Sequence, residues 1–257
     1  MARRGMRLPY SWGTSLRRKG DGGMGSLEAL ALLAKEPSPG RVKTRLCPPL
    51  SHEEAARLCS ALLEDTAEEL ASLRGVRRFL FLDPPESVTR TCGAPFAGFE
   101  FLPQRGGDLG ERMLSAASLL FRGGARRVVL AGADCPGLTA GRVRLAFREL
   151  RAGAGAVLGP AADGGYYLFG LTFPDVRLFE GIPWSTEAVL RETAARCRAT
   201  GAPFSFLRRE RDVDTFGDLL ALRERLAAHP GPRCLRTRAC LTSFFASGEA
   251  GEPARRG

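Results

Sequence analysis

The chain has 257 residues, 44% of them hydrophobic, and a formal net charge of +10. That length suits one large α/β domain or two small ones, no apolar stretch approaches the roughly 18 residues that cross a bilayer, and the Arg3–Arg4 pair lacks the apolar segment of a secretion signal. The positive charge sits at the ends: residues 1–25 carry +5 and 229–257 carry +3, so 26–228 carries only +2, a poor match for a nucleic-acid binder.

Residues 1–25 are rich in Gly and Arg without periodicity, and are expected to be a disordered basic extension or an over-long start ahead of Met24. Leu27 to Ala34 is continuously apolar apart from Glu28, as in a parallel strand buried on both faces. Residues 35–50 are too Pro-rich for helix. Ser51-x-x-Glu54 is a capping-box signature, and Leu58, Leu62, Leu70 and Leu73 continue it as an amphipathic helix over 52–73. Arg78 to Leu82 and Phe99 to Leu102 read as strands, with 83–98 an irregular connection or short helix. A helix is expected at 109–122, a strand at Val128 to Ala131, and a helix capped by Thr139 up to Leu150. Strands at Ala156 to Leu158, Tyr166 to Leu171 and Phe204 to Leu207 alternate with a helix over 186–198, capped by Ser185 or Thr186. Thr215-x-x-Asp218 opens a last helix to about 227. Residues 229–257 read as a loosely ordered tail with a short apolar contact at Leu241 to Phe245. Alternating strands and helices predict a single three-layer α/β/α domain over 26–228 with a mostly parallel sheet. Sites in such sheets lie beyond the carboxyl ends of the strands, so the loops after Ala34, Ala131 and Leu207 should share one crevice.

Four constellations stand out, three of them on those loops. Lys35 to Arg45 holds Lys35, Arg41, Lys43 and Arg45, with Gly40 freeing the backbone; such a loop can surround a di- or triphosphate, or it is a solvated basic loop. It has neither Walker A nor G-x-G-x-x-G spacing. Asp134 stands just past an apolar strand, where it can ligate Mg²⁺ or Mn²⁺ or close a turn. Asp212 and Asp214 alternate onto one side of an extended segment and can complete a metal site with Asp134, or cap the next helix. Asp163, followed by Gly164, Gly165 and Tyr166, is a candidate general base or hydroxyl anchor, or a hairpin turn. Asp108 at a helix start, and Trp184, Ser185 and Thr186, are candidate substrate contacts with cap or packing roles as alternatives. The seven cysteines are scattered and form no C-x-x-C pair, which fits a reducing cytoplasm; Cys135, with no His nearby in sequence, reads as structural.

Taken together and in order, K-E-P-S-P-G-R-V-K-T-R-L, G-G-D-L-G-E-R-M, G-A-D-C-P-G-L, G-P-A-A-D-G-G-Y-Y-L-F-G-L, P-W-S-T and D-V-D-T resemble the bacterial DUF2064 family over about 27–222. That family is described as GT-A-type and glycosyltransferase-like, in part associated with arsenosugar biosynthesis. It is more distantly similar to 2-phospholactate and molybdenum-cofactor guanylyltransferases. The resemblance implies a nucleotide-diphospho-sugar transferase fold. It places nucleotide phosphates on Lys35, Arg41, Lys43 and Arg45, and a metal on Asp134 with Asp214 as a further ligand. Gly132-Ala133-Asp134 stands where Gly-Ser-Asp is common in the family. The expected function is metal-dependent transfer from a nucleotide-activated donor, glycosyl transfer to a small-molecule acceptor ahead of nucleotidylyl transfer with pyrophosphate release. A non-catalytic nucleotide-binding module is the reading from another class.

Overall fold

The computed structural model describes residues 27–89 and 93–246; the expected N-terminal extension and the end of the tail lie outside them. The strands are β1 (Glu28–Lys35), β2 (Arg77–Asp83), β3 (Phe99–Pro103), β4 (Arg127–Gly132), β5 (Ala156–Pro160), β6 (Tyr166–Leu171) and β7 (Phe204–Phe206). The helices are α1 (His52–Ala71), α2 (Leu109–Arg122), α3 (Ala140–Arg151), α4 (Val189–Ala199), α5 (Phe216–Ala228) and α6 (Leu235–Ala246). The strands form one seven-stranded sheet in the order β3-β2-β1-β4-β6-β5-β7. Every pairing is parallel except the two made by β6.

The continuous apolar run of β1 follows from its central place. Leu30 and Leu32 pack on one face with Leu63, Ala67 and Leu70 of α1 and Val143, Phe147 and Leu150 of α3. Ala29 and Ala31 pack on the other with Met113, Ala117 and Leu120 of α2 and Ala194 and Cys197 of α4. This is the expected α/β/α arrangement. The Ser51–Glu54 capping box forms: Ser51 Oγ accepts the Glu54 N–H at 3.1 Å, and Glu54 Oε2 accepts the Ser51 N–H at 2.8 Å.

The sheet is mostly parallel, as expected; β6 alone is antiparallel to both its neighbours, because the Asp163–Gly165 turn is far too short for a crossover and makes the hairpin that its Asp-Gly sequence allows. Two local expectations differ from the structure. α4 begins at Val189 after Ala188, which makes no side-chain cap. Thr186 Oγ1 donates to Pro183 O at 2.7 Å and accepts from the Ala188 N–H at 3.3 Å, so it shapes the turn before the helix. Part of the supposed loose tail is helix α6. Its Leu241 and Phe244 join Leu58 and Leu62 of α1 and Leu219 and Leu222 of α5 in a further apolar cluster. The start of α6 is held by the buried Asp65 carboxylate of α1, which accepts the Arg236 N–H at 3.1 Å, the Thr237 N–H at 2.8 Å and the Thr237 hydroxyl at 2.7 Å.

Candidate active site

A cleft of about 920 Å³ opens at the carboxyl edge of the sheet. The loops after β1, β4 and β7 reach it, as do the β5–β6 turn, the first turn of α2 and the segment before α4. Gln104, immediately after β3, fixes the tip of β1 from beneath: its Nε2 donates to Ala34 O at 2.8 Å and Phe81 O at 3.0 Å. The loop after β1 therefore leaves the sheet from a rigid point.

Lys35, Arg41, Lys43 and Arg45 all line the cleft, whereas Gly40 does not; its φ of +73° turns the loop instead. Lys35, Arg41 and Arg45 are exposed. Lys43 differs from them. Its backbone is left-handed, φ 51° and ψ 32°, just before the short 3₁₀ turn Thr44–Leu46, a conformation that costs energy outside Gly and Asn and is held by its surroundings. Its side chain is only 5% exposed, and Nζ lies 3.0 Å from Asp134 Oδ1 and 2.9 Å from Asp214 Oδ1. Burial works against the Lys43 charge, yet Asp134 and Asp214 outweigh it and hold the ammonium above the ordinary lysine range.

Asp163, Asp212 and Asp214 offer carboxylate oxygens that all lie within 4.8 Å of one another. Burial first, then the charges of Asp163 and Asp214, push the Asp212 carboxyl up to about 6. Asp163 Oδ1 accepts the Gly165 N–H at 2.8 Å, which leaves its other oxygen available. The donor chemistry, three hard oxygens and an excess of negative charge, fits a divalent cation such as Mg²⁺ or Mn²⁺. The sequence reading grouped Asp134 with Asp212 and Asp214. In the structure Asp134 pairs with Lys43, and Asp163 stands in the carboxylate group. Asp134 remains beside it through backbone contact, since its carbonyl accepts the Val213 N–H at 3.1 Å.

The rest of the lining is less charged. Leu109, Met113, Tyr166 and Trp184 belong to it with Ser185, Thr186 and Glu187. Trp184 sits hard against α2: a Cβ on Gly110 would come within 2.3 Å of the indole Nε1. The other end of the Trp184–Glu187 segment crosses Gly164, whose φ is +91° and where a Cβ would meet Glu187 O at 2.2 Å. Two glycines of the quoted motifs thus let one segment span from α2 to the Asp163 turn. Ser185 also has positive φ, 65°. Gly165 lines the cleft and Gly164 does not. Asp108 lies outside the lining too; its Oδ1 accepts the Glu111 N–H at 2.8 Å as the cap of α2. Arg112 lines the cleft but is committed, its Nη1 donating to Asp83 Oδ2 at 2.7 Å.

Tyr166 is partly buried, and the desolvation of its hydroxyl raises the phenol above the ordinary range. Burial pushes both cleft thiols, Cys59 and Cys135, up to about 12, which disfavours the reactive thiolate. Leu109 and Met113 fall in the G-G-D-L-G-E-R-M stretch, whereas the sequence does not point to Gln104, Cys59 or Glu187. Of these last, only Gln104 carried a signal, a polar residue directly after an apolar strand.

A family model described as an uncharacterized protein conserved in bacteria (DUF2064) matches residues 66–186. A structure from Desulfovibrio desulfuricans G20, provisionally described as a nucleotide-diphospho-sugar transferase, is 33% identical, with a TM-score of 0.78, covering 86% of this chain and 96% of that one. A cytidylyltransferase from Leptospira borgpetersenii serovar Hardjo-bovis (strain JB197) shares the fold at 14% identity, TM-score 0.51, covering 89% and 98%. CMP:2-keto-3-deoxy-manno-octonic acid synthetase complexed with CTP does so at 13%, TM-score 0.50, covering 78% and 99%. No curated protein matches the chain. The chain belongs to the DUF2064 family and has the fold of the nucleotide-diphospho-sugar transferases.

Proposed function

We propose that this protein is a metal-dependent transferase that moves a glycosyl group from a nucleotide-diphosphate sugar to a small-molecule acceptor. The observation that carries the reading is the meeting, in one cleft, of a cationic loop with the carboxylates Asp163, Asp212 and Asp214, joined through Lys43. A diphosphate is stabilised by cationic side chains and by a divalent ion, and this cleft offers the cations and the carboxylates that could hold such an ion.

Asp212 and Asp214 would hold Mg²⁺ or Mn²⁺, which when bound neutralises diphosphate charge. The chain's own groups do the rest. Lys35, Arg41 and Arg45 bind the phosphates and stabilise the diphosphate as it leaves. Asp163, the exposed carboxylate of the three, faces an acceptor resting against the Trp184 wall and takes the proton of its hydroxyl. The bond between the sugar's anomeric carbon and the diphosphate breaks as that carbon bonds to the acceptor oxygen.

A second reading draws on the same loop. Three exposed cations beside Lys43 suffice for a triphosphate, so nucleotidylyl transfer to a phosphorylated acceptor is the alternative. A thermal-shift screen with NDP-sugars and NTPs, with and without Mn²⁺, separates the two. Stabilisation by an NDP-sugar and release of a nucleoside diphosphate support glycosyl transfer. Pyrophosphate release from an NTP overturns it.

A further inference from the structure

We propose that Lys43 is a resident counter-ion that competes with the metal for Asp214, so that the cleft takes up metal and phosphate together and binds the bare ion weakly. The inference rests on the reading of the cleft as a metal and phosphate site.

Asp214 belongs to two groups at once. Its carboxylate stands with those of Asp163 and Asp212, and its Oδ1 is already bonded to Lys43 Nζ at 2.9 Å. The Lys43 side chain is 5% exposed, so water does little to screen its charge from a second cation on the same carboxylate. Asp134 also holds the ammonium, at 3.0 Å. Without ligand, this lysine is therefore the cation that balances the acidic cluster, and an incoming ion must displace it from Asp214.

Displacement is unfavourable unless the ammonium gains another anion. A phosphate supplies one. Lys43 lies on the same loop as Arg41 and Arg45, all three lining the cleft, and its flexible four-carbon stem lets Nζ turn from carboxylate to phosphate. Phosphate thus releases Asp214 for the ion, and the ion releases Lys43 for the phosphate. Because the two events share one group, each must strengthen the other by the same factor.

The test measures Mn²⁺ binding by the electron paramagnetic resonance of the free ion, for wild type, Lys43→Met and Lys43→Arg. It is run with and without inorganic pyrophosphate, whose own complexation of Mn²⁺ is measured in the same buffer. Lys43→Met should bind Mn²⁺ alone about tenfold more tightly than wild type, and pyrophosphate should strengthen Mn²⁺ binding clearly more in wild type than in this variant. Lys43→Arg, which keeps the charge, should stay close to wild type for Mn²⁺ alone. Should Lys43→Met fail to fold, as judged by circular dichroism, the wild-type enhancement and the Lys43→Arg result carry the test. Equal or weaker Mn²⁺ binding by folded Lys43→Met, or no enhancement by pyrophosphate in wild type, overturns the proposal while leaving the metal site standing. No Mn²⁺ binding by any of the three, with or without pyrophosphate, overturns the metal reading as well.

Discussion

Trp184 and Gly110 are in contact so close that no other residue fits beneath the indole: a Cβ at Gly110 would lie 2.3 Å from Nε1 and 2.4 Å from Cε2. Gly110 is inside the first turn of α2, where glycine ordinarily weakens a helix by about 1 kcal/mol relative to alanine. The position forgoes that stability to let the Trp184–Glu187 segment lie on the helix and reach the Asp163 turn.

Gly110→Ala should therefore lower stability despite alanine's better helix propensity. The indole must move, and overpacking of this kind costs about 1–3 kcal/mol. Urea unfolding followed by circular dichroism gives the stability, and tryptophan emission should shift to the red as Trp184 is pushed into water. Acceptor KM should rise more than donor KM, because Trp184 borders the wall assigned to the acceptor.

Asp212 gives a pH-dependent prediction. Its folded carboxyl is pushed up to about 6, from an ordinary 3.8, by burial and by Asp163 and Asp214. The folded state then holds the proton more tightly than the unfolded chain. Its stabilising effect is complete below about pH 4 and lost as pH rises through about 6. Above that, in metal-free protein, the charged group costs about 1 kcal/mol, allowing for its partial exposure. Asp212→Asn removes that cost. Its Tm at pH 7 without metal should exceed wild type by roughly 2–4 °C, with no gain at pH 4, and Mn²⁺ should no longer raise it. Differential scanning calorimetry at the two pH values checks all three.

Much of this architecture is legible in the sequence. β1 reads as apolar on both sides because helices cover both faces of the sheet, and the Ser51 and Thr215 capping boxes mark the starts of α1 and α5. The three loops expected to share a crevice do share one. What the sequence hides is pairing across long separations. The Lys43–Asp214 bond joins residues 171 positions apart, and no local pattern says that Lys43 answers to carboxylates while Arg41 and Arg45 stay exposed. Asp163 is legible as a candidate base or a hairpin turn, but its place beside Asp212 is not, because the hairpin that brings it there is set by strand pairing rather than by local pattern. Helix α6 was hidden because the group that fixes its start, Asp65, lies in α1.

Asp65 supplies the third prediction. Its side chain is 6% exposed and accepts from the first turn of α6 through both oxygens. Asp65→Ala leaves those donors unpaired and should cost about 3 kcal/mol, read as a lower urea midpoint. Glu68→Gln, on the exposed Arg236 contact, should cost no more than about 1 kcal/mol.

The central claim is that the carboxylates and the cationic loop bind one metal–diphosphate unit. The direct measurement is isothermal titration of a nucleoside diphosphate into wild type and into Asp212→Asn/Asp214→Asn, each with and without Mn²⁺. Mn²⁺ should tighten diphosphate binding at least about tenfold in wild type and leave the double variant unchanged. Diphosphate binding that is the same with and without Mn²⁺ in wild type, or an equal gain in the variant, would contradict it.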